Sequence, residues 1–246
     1  MKILVCITHV PDTTSKINFK DNSTKFDQTG VQYIIGPYDD YALARAIEIK
    51  EANPGSTVTV LNVGLPETEP TIRKALAIGA DDAVRVNAEP TDSFFVAAQI
   101  AEHAKGQNYD LILMGRESID YNSGVVHTIV GELLGIASVS PVMKLELDGG
   151  KAKMVREIEG GKESLEGNLP LVLGCQEPIA EWKIPNMRGI MSARTKPLKV
   201  VEAKATDDGA TTLRYELPPA KGAVKMIPAD QMAQLVNLLK TEAKVL

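Results

Sequence analysis

At 246 residues the chain has room for one large domain, or for one domain and an appendage. Hydrophobic content of 44% and charged content of 24% are ordinary for a globular chain, and a net charge of -5 without a basic cluster speaks against nucleic-acid binding. Two cysteines, one of them in an apolar run, argue against a structural disulfide; MKILVCI is too short for a signal peptide and no apolar run reaches membrane-spanning length, so a cytoplasmic protein without membrane insertion is expected.

Lys2 to Ile7 is an apolar run that predicts a buried strand. Thr8 to Thr14 follows as a polar loop and places His9, Asp12 and Thr13 at the strand's C-terminal end, where open α/β sheets hold ligands. Ile17 to Ile35 has no helical pattern and predicts a hairpin excursion. Pro37 opens a helix at its favoured first turn, with Asp39 and Asp40 complementing the dipole, and Asn53-Pro54-Gly55 ends it. Thr57 to Val63 is the next strand, Glu67 to Ile78 a helix, Ala83 to Val86 a strand, and Ser93 to Lys105 a third helix. His103, near the end of that helix, is expected in solvent.

Leu111 to Gly135, LILMGRESIDYNSGVVHTIVGELLG, is the stretch around which the rest is organised. It predicts a strand to Met114, a polar loop from Arg116 to Asn122, and a helix capped by Ser123 with Val126, Ile129, Val130, Leu133 and Leu134 inward. Free N–H groups at such a helix start bind phosphate readily. Without a Walker or GxGxxG pattern, the stretch fits either a nucleotide cradle or an ordinary strand–helix unit with an empty loop. Asp120 fits either a ribose acceptor or an Asx turn.

Beyond Gly135 the texture changes. Val142 to Leu147, Lys151 to Ile158 and Leu169 to Leu173, separated by glycine turns, predict an antiparallel meander. Glu177 to Val201 has little periodicity. Thr206 to Ala210 is a polar linker, Pro218-Pro219 resists regular structure, and Pro228 to Lys240 is a last amphipathic helix. The alternation of strands and helices predicts a doubly wound, mostly parallel α/β sheet over residues 1–201. The remainder, 202–246, reads as an extended arm that wraps a second chain. Three scattered histidines form no metal cluster, and His127 suits packing or capping better than base chemistry. No Ser elbow, CxxC or HExxH occurs. Such a domain binds without reacting, or leaves the chemistry to a cofactor.

Two stretches narrow this. VREIEGGKESLEGNLPLVL (Val155 to Leu173) is followed by IMSARTKP (Ile190 to Pro197), and EPTIRKALAIGAD spans Glu69 to Asp81. From Met1 to about Val201 the order and wording of these motifs resemble the beta subunit of electron transfer flavoprotein. The resemblance implies a Rossmann-like fold of the adenine-nucleotide-binding type and a heterodimer with an alpha subunit that holds most of an FAD. It implies an electron carrier with no substrate turnover of its own. Acyl-CoA or other flavin dehydrogenases would donate electrons, and a quinone-linked oxidoreductase would accept them. A structural AMP is implied on Cys6, on Gly36, Pro37, Tyr38 and Asp39, on Val63, and on the loop and helix start at Asp120, Asn122, Ser123, Gly124, Val125, His127 and Thr128. Tyr38 and Thr13 would approach the flavin. Ile184 to Met191 would be a recognition loop, with Met187 in place of the family's anchoring leucine and Ile190 and Met191 beside it.

The chain departs from the family in places. Gly36 stands where asparagine is usual. Aligned without a gap from Asp120, Val125, Val126 and His127 replace the Gln-Thr-Gly of the long loop, and Ser123-Gly124 lies just upstream. Arg194-Thr195-Lys196 is a thinner version of the basic triplet. The pattern of flavin-bifurcating members, which hold a second FAD and NADH, is not matched either. AMP is the expected ligand, with a second FAD or an empty site as alternatives. A stand-alone adenine-nucleotide-binding regulatory module is the alternative from another class.

Overall fold

In the computed structural model, which describes residues 1–206 and 209–246, the N-terminal run forms strand β1 (Lys2–Cys6). Asp207 and Asp208 of the expected polar linker lie outside the described residues. The excursion that follows carries β2 (His9–Pro11), β3 (Phe19–Lys20), β4 (Lys25–Phe26) and β5 (Tyr33–Ile35). β3 and β4 form the expected hairpin. Thr8 to Thr14 is not all loop, because His9–Pro11 pairs antiparallel with β5. That partner lies more than twenty residues downstream, and no local pattern announces it.

Helix α1 (Pro37–Ala52) starts at its proline, with Asp39 and Asp40 in the first turn. Then come β6 (Thr57–Val63), a 3-10 turn at Pro66–Thr68, α2 (Glu69–Ile78), β7 (Asp82–Asn87), α3 (Ser93–Ala104), β8 (Leu111–Gly115) and α4 (Val126–Leu134). The second half holds β9 (Ser138–Asp148), β10 (Lys151–Ile158), β11 (Gly161–Asn168), β12 (Leu171–Cys175), α5 (Met187–Ala193), β13 (Leu198–Glu202) and α6 (Met232–Thr241).

Nine strands make one sheet in the order β11-β10-β9-β12-β8-β1-β6-β7-β13. The seven from β9 to β13 in this order are linked by parallel pairing, and β10 and β11 extend the sheet antiparallel beyond β9. Helices α1 and α2 cover one face, where Ile3, Val5, Leu111 and Leu113 meet Leu43, Ile47, Ile72 and Leu76. On the other face Leu4 and Ile112 meet Ala97, Ile100 and Val130 of α3 and α4. Successive residues of a strand point to opposite faces, so a strand covered on both sides reads as an unbroken apolar run. The α/β doubly wound fold is the expected one.

Three elements differ from expectation. The third strand of the meander is the polar β11, whose alternate residues face solvent, and not the apolar run near Leu171. That run is β12, wholly buried and parallel to both β8 and β9. β13 emerges from the aperiodic stretch and adds parallel to β7 at the opposite edge. Ile184 to Met191 ends in a helix, because the Asn186 side chain accepts from the Gly189 N–H at 2.8 Å and caps α5. α6 buries no side chain.

Candidate functional site

The chain leaves β1 on one side and returns to its other side. β1 continues through α1 to β6, whereas β8, reached through α3 on the opposite face, lies on β1's other flank. The crevice beyond the C-terminal ends of β1 and β8 is therefore the topological switch point, the ligand position in open α/β sheets. Cys6 ends β1, Val63 ends the neighbouring β6, Gly36 precedes α1, and the loop after Gly115 leads into α4.

One carboxylate fastens this edge. Asp39 is 3% exposed, and its Oδ2 accepts from the Thr8 N–H at 2.8 Å and the Thr8 hydroxyl at 2.6 Å. Its Oδ1 accepts from the Gly115 N–H at 2.7 Å. Burial pushes the Asp39 carboxyl up to about 6, against the pull of these bonds. Gly36 has its reason here. A Cβ at this position would run into the Thr8 hydroxyl and the Asp39 carboxylate, so an asparagine does not fit this chain. Gly115 is equally constrained, since a Cβ would lie 2.7 Å from both Tyr38 Cβ and Asp39 Oδ1.

Tyr38 lies half-buried beside Pro37, with the Arg116 guanidinium 5.6 Å from its ring centre. Arg116 donates to Gln176 Oε1 at 2.8 Å, and Gln176 Nε2 donates to Glu157 Oε2 at 2.7 Å. The sequence reading missed this relay. Its signals were an arginine directly after a buried strand and Glu157 within the quoted VREIEGG motif.

In the loop itself Asp120 accepts from the Ser118 hydroxyl and from the Tyr121 N–H, so it forms a local turn. Asn122 adopts a left-handed φ of 50°. Ser123 is not the helix cap. Its hydroxyl contacts that of Ser93, and α4 begins one turn later behind Val125, which caps with no side chain. As a result, the N–H groups from Gly124 to Thr128 find no acceptor among the described residues. Gly124, Val125 and Thr128 are exposed, and a Cβ on Gly124 would make only ordinary contacts, with the Arg116 carbonyl at 3.6 Å and Glu117 Cβ at 3.9 Å. His127 is buried against the Arg116 and Gly124 carbonyls, and burial lowers its pKa. It packs as a neutral ring, with Thr128 Oγ1 3.0 Å from its Nδ1.

Other candidates lie apart. Thr13 is exposed on the turn after β2, with no hydrogen bond to Tyr38 among the described residues. His9 stacks on Tyr33 at 4.1 Å and meets Thr71 at 2.8 Å. His103 is half-buried against Tyr109, not in free solvent, because the helix end packs on β8's approach. Cys6 and Cys175 are buried free thiols; burial pushes Cys175 up to about 12 and Cys6 higher still, so neither is a nucleophile. No group of three metal-ligating side chains occurs among the described residues. Met187, Ile190 and Met191 sit on α5, which packs on α2 and reaches Ala77 at its far end, at the opposite edge of the sheet. Met187 is 73% and Met191 68% exposed.

Among the described residues the crevice thus brings together backbone donors and an aromatic–arginine pair, without an acid, base or nucleophile free to act. The electron transfer flavoprotein domain matches residues 23–206. The electron transfer flavoprotein subunit beta of Bacillus subtilis (strain 168) is 36% identical over 260 aligned residues, covering 100% of both chains. The chain belongs to the electron transfer flavoprotein family, as a beta subunit. The subunit beta of Syntrophomonas wolfei is likewise 36% identical, over 99% of each chain. A further family member, the caffeyl-CoA reductase-Etf complex subunit CarD of Acetobacterium woodii, is 30% identical over 99% of this chain and 98% of its own. Among the described residues no helix is long and apolar enough to cross a membrane.

Proposed function

We propose that the chain is the beta subunit of a cytoplasmic heterodimer that carries electrons from flavin dehydrogenases towards a quinone-linked acceptor. It turns over no substrate alone. The observation that carries this reading is the row of N–H groups from Gly124 to Thr128 at the switch point, which have no acceptor among the described residues. Five donors at a helix N-terminus suit the phosphate of an AMP. The adenine would lie towards Cys6 and Val63, which end adjacent strands and face the same side of the sheet. FAD, held mostly by the alpha subunit, supplies one- and two-electron chemistry when bound. Tyr38 and Arg116 are the residues of this chain suited to its neighbourhood, an aromatic face and a fixed cation. Residues 202–246 would wrap the alpha subunit, since Leu213, Leu217, Val224 and Met226 are exposed there. A second reading follows the flavin-bifurcating members of the family, with a second FAD in place of AMP and NADH as the donor; one relative is named as a subunit of a caffeyl-CoA reductase-Etf complex.

Co-expression with the alpha subunit and mass spectrometry of the released ligands separates the two. One flavin and one AMP per heterodimer is the expected result. Two flavins would support the second reading, and a colourless, nucleotide-binding single chain would support a regulatory module.

Gly124→Asp tests the phosphate position. The side chain has room, so the fold survives, but its charge repels phosphate. AMP affinity is expected to fall roughly tenfold or more. Unchanged nucleotide content in the purified heterodimer would refute the assignment.

A further inference from the structure

Tyr215 lies in the segment that follows the sheet, yet three contacts tie it back to the domain. Its N–H donates to the Ser23 carbonyl at 2.7 Å. Its ring stacks on Phe19 of the β3–β4 hairpin, with centroids 4.8 Å apart and planes within 10°. Its hydroxyl lies 3.1 Å from the hydroxyl of Tyr121, in the middle of the nucleotide loop. Asp92, which caps α3 by accepting from the Phe95 N–H at 2.8 Å, also accepts from the N–H groups of Gly209 at 2.6 Å and Ala210 at 2.9 Å. The neighbouring Ser93 meets Ser123 of the same loop.

These contacts do not amount to packing. Leu213 and Leu217, two residues either side of Tyr215, are 84% and 59% exposed, and Tyr121 itself is 60% exposed. Polar ties, not apolar burial, seat this segment. The loop is in the same position. It includes a left-handed asparagine and buries little beyond His127 at its end. Each phenol carries one proton and two lone pairs, so one hydroxyl donates and the other accepts.

We infer that Tyr215 is a positioning residue for the nucleotide loop: its bond to Tyr121 holds the loop so that the Gly124 to Thr128 N–H groups face the ligand, and nucleotide affinity therefore depends on the seating of the C-terminal segment. This rests on the nucleotide reading of the loop given above. Linkage is reciprocal, so whatever seats the segment tightens the nucleotide, and the nucleotide tightens it by the same factor. In the heterodimer the alpha subunit is the body that seats it.

Tyr215→Phe and Tyr121→Phe keep both rings, including the stack on Phe19, and remove one hydroxyl each. In heterodimer freed of nucleotide, AMP binding by equilibrium dialysis is expected to weaken roughly three- to tenfold in either variant, the worth of one hydrogen bond. The double variant should be no weaker than either single one. Hydrogen exchange of residues 116–125 should quicken equally in all three, with an unchanged melting temperature. Unaltered AMP affinity and exchange in the single variants, or losses that multiply in the double one, would overturn the inference. Quickened exchange in a heterodimer that binds no AMP would support the Tyr215–Tyr121 tie and count against the adenylate reading. Normal AMP binding in the wild type with the same affinity in every variant would overturn the positioning role of Tyr215 and leave that reading intact.

Discussion

Replacing Asp39 by alanine is expected to cost roughly 2–6 kcal/mol of folding stability, read as a shift in urea midpoint. The side chain is 3% exposed and is the common acceptor for Thr8 after β1 and Gly115 at the end of β8, from a seat in the first turn of α1. Its removal orphans two backbone N–H groups at about 1–3 kcal/mol each. The Thr8 hydroxyl can rotate to another acceptor. Asp39→Asn is milder. With its oxygen towards the two Thr8 donors, its amide NH2 faces the Gly115 N–H, and a loss of about 2 kcal/mol is expected.

The same residue gives stability a pH dependence. Asp39 and Asp40 are both lifted to about 6, chiefly by burial, with Lys74 pulling Asp40 down. In the unfolded chain an aspartate titrates near ~3.9. Between about pH 4 and 6 the folded chain therefore holds more protons than the unfolded one, and stability falls as pH rises through that window. For the buried Asp39 the full fall is roughly 3 kcal/mol. Urea titrations from pH 4 to 7 should show this slope in the wild type and a shallower one, left by Asp40, in Asp39→Asn. Equal slopes would mean that Asp39 stays charged throughout.

The second large effect is expected at Gly189. A Cβ there would overlap the carbonyl oxygen of Ala77 and lie 3.4 Å from Asn186 Oδ1. The obstacle is backbone, which cannot rotate aside. α5 has seven residues and a single buried one, Ala193, so Gly189→Val should lift it from α2. The Arg73 bonds to the Ala193 and Lys196 carbonyls, at 3.0 and 2.8 Å, lie on the same seam. A loss of about 1–3 kcal/mol is expected. If α5 docks dehydrogenases, reduction of the heterodimer by such a partner should nearly cease while the AMP content stays normal. Met187→Ala isolates the docking part. At 73% exposure the side chain contributes little to the core, so the melting temperature should hold while partner reduction slows about tenfold. A large drop in melting temperature with normal reduction would remove Met187 from the docking surface.

Burial on both faces made β1, β6, β8 and β12 legible, because each leaves an apolar run with no solvent side. The polar β11 and the half-exposed β13 carried no such mark and were missed or misplaced. The switch-point crevice followed from strand order and needed no motif. Asp39 was recognised as a dipole partner and, through the resemblance, as part of the nucleotide site, but not as the carboxylate that fastens the sheet edge. Its bonding role depends on groups 31 and 76 residues away, which come together only once β1, β8 and α1 are packed. Ser123 failed for a related reason. A hydroxyl three residues ahead of a helix has the local look of a cap, but Ser93 of another helix claimed it. Tyr38 with Arg116 is likewise a contact across the chain that the local sequence does not encode.

The sheet ends in two open edges, β11 and β13, each with a row of backbone donors and acceptors available to a foreign strand. Both edges carry charge. β11 presents Lys162 and Glu166, the latter bonded to Lys151 at 3.0 Å on β10, and β13 presents Lys199 and Glu202. A strand laid against either would have to strip water from these groups. Fibre growth by strand addition is thereby opposed at both ends. The apolar side chains exposed on α5, on residues 213–226 and on α6 present no continuing row of backbone groups, so a partner seated on them would not extend the sheet into a ribbon.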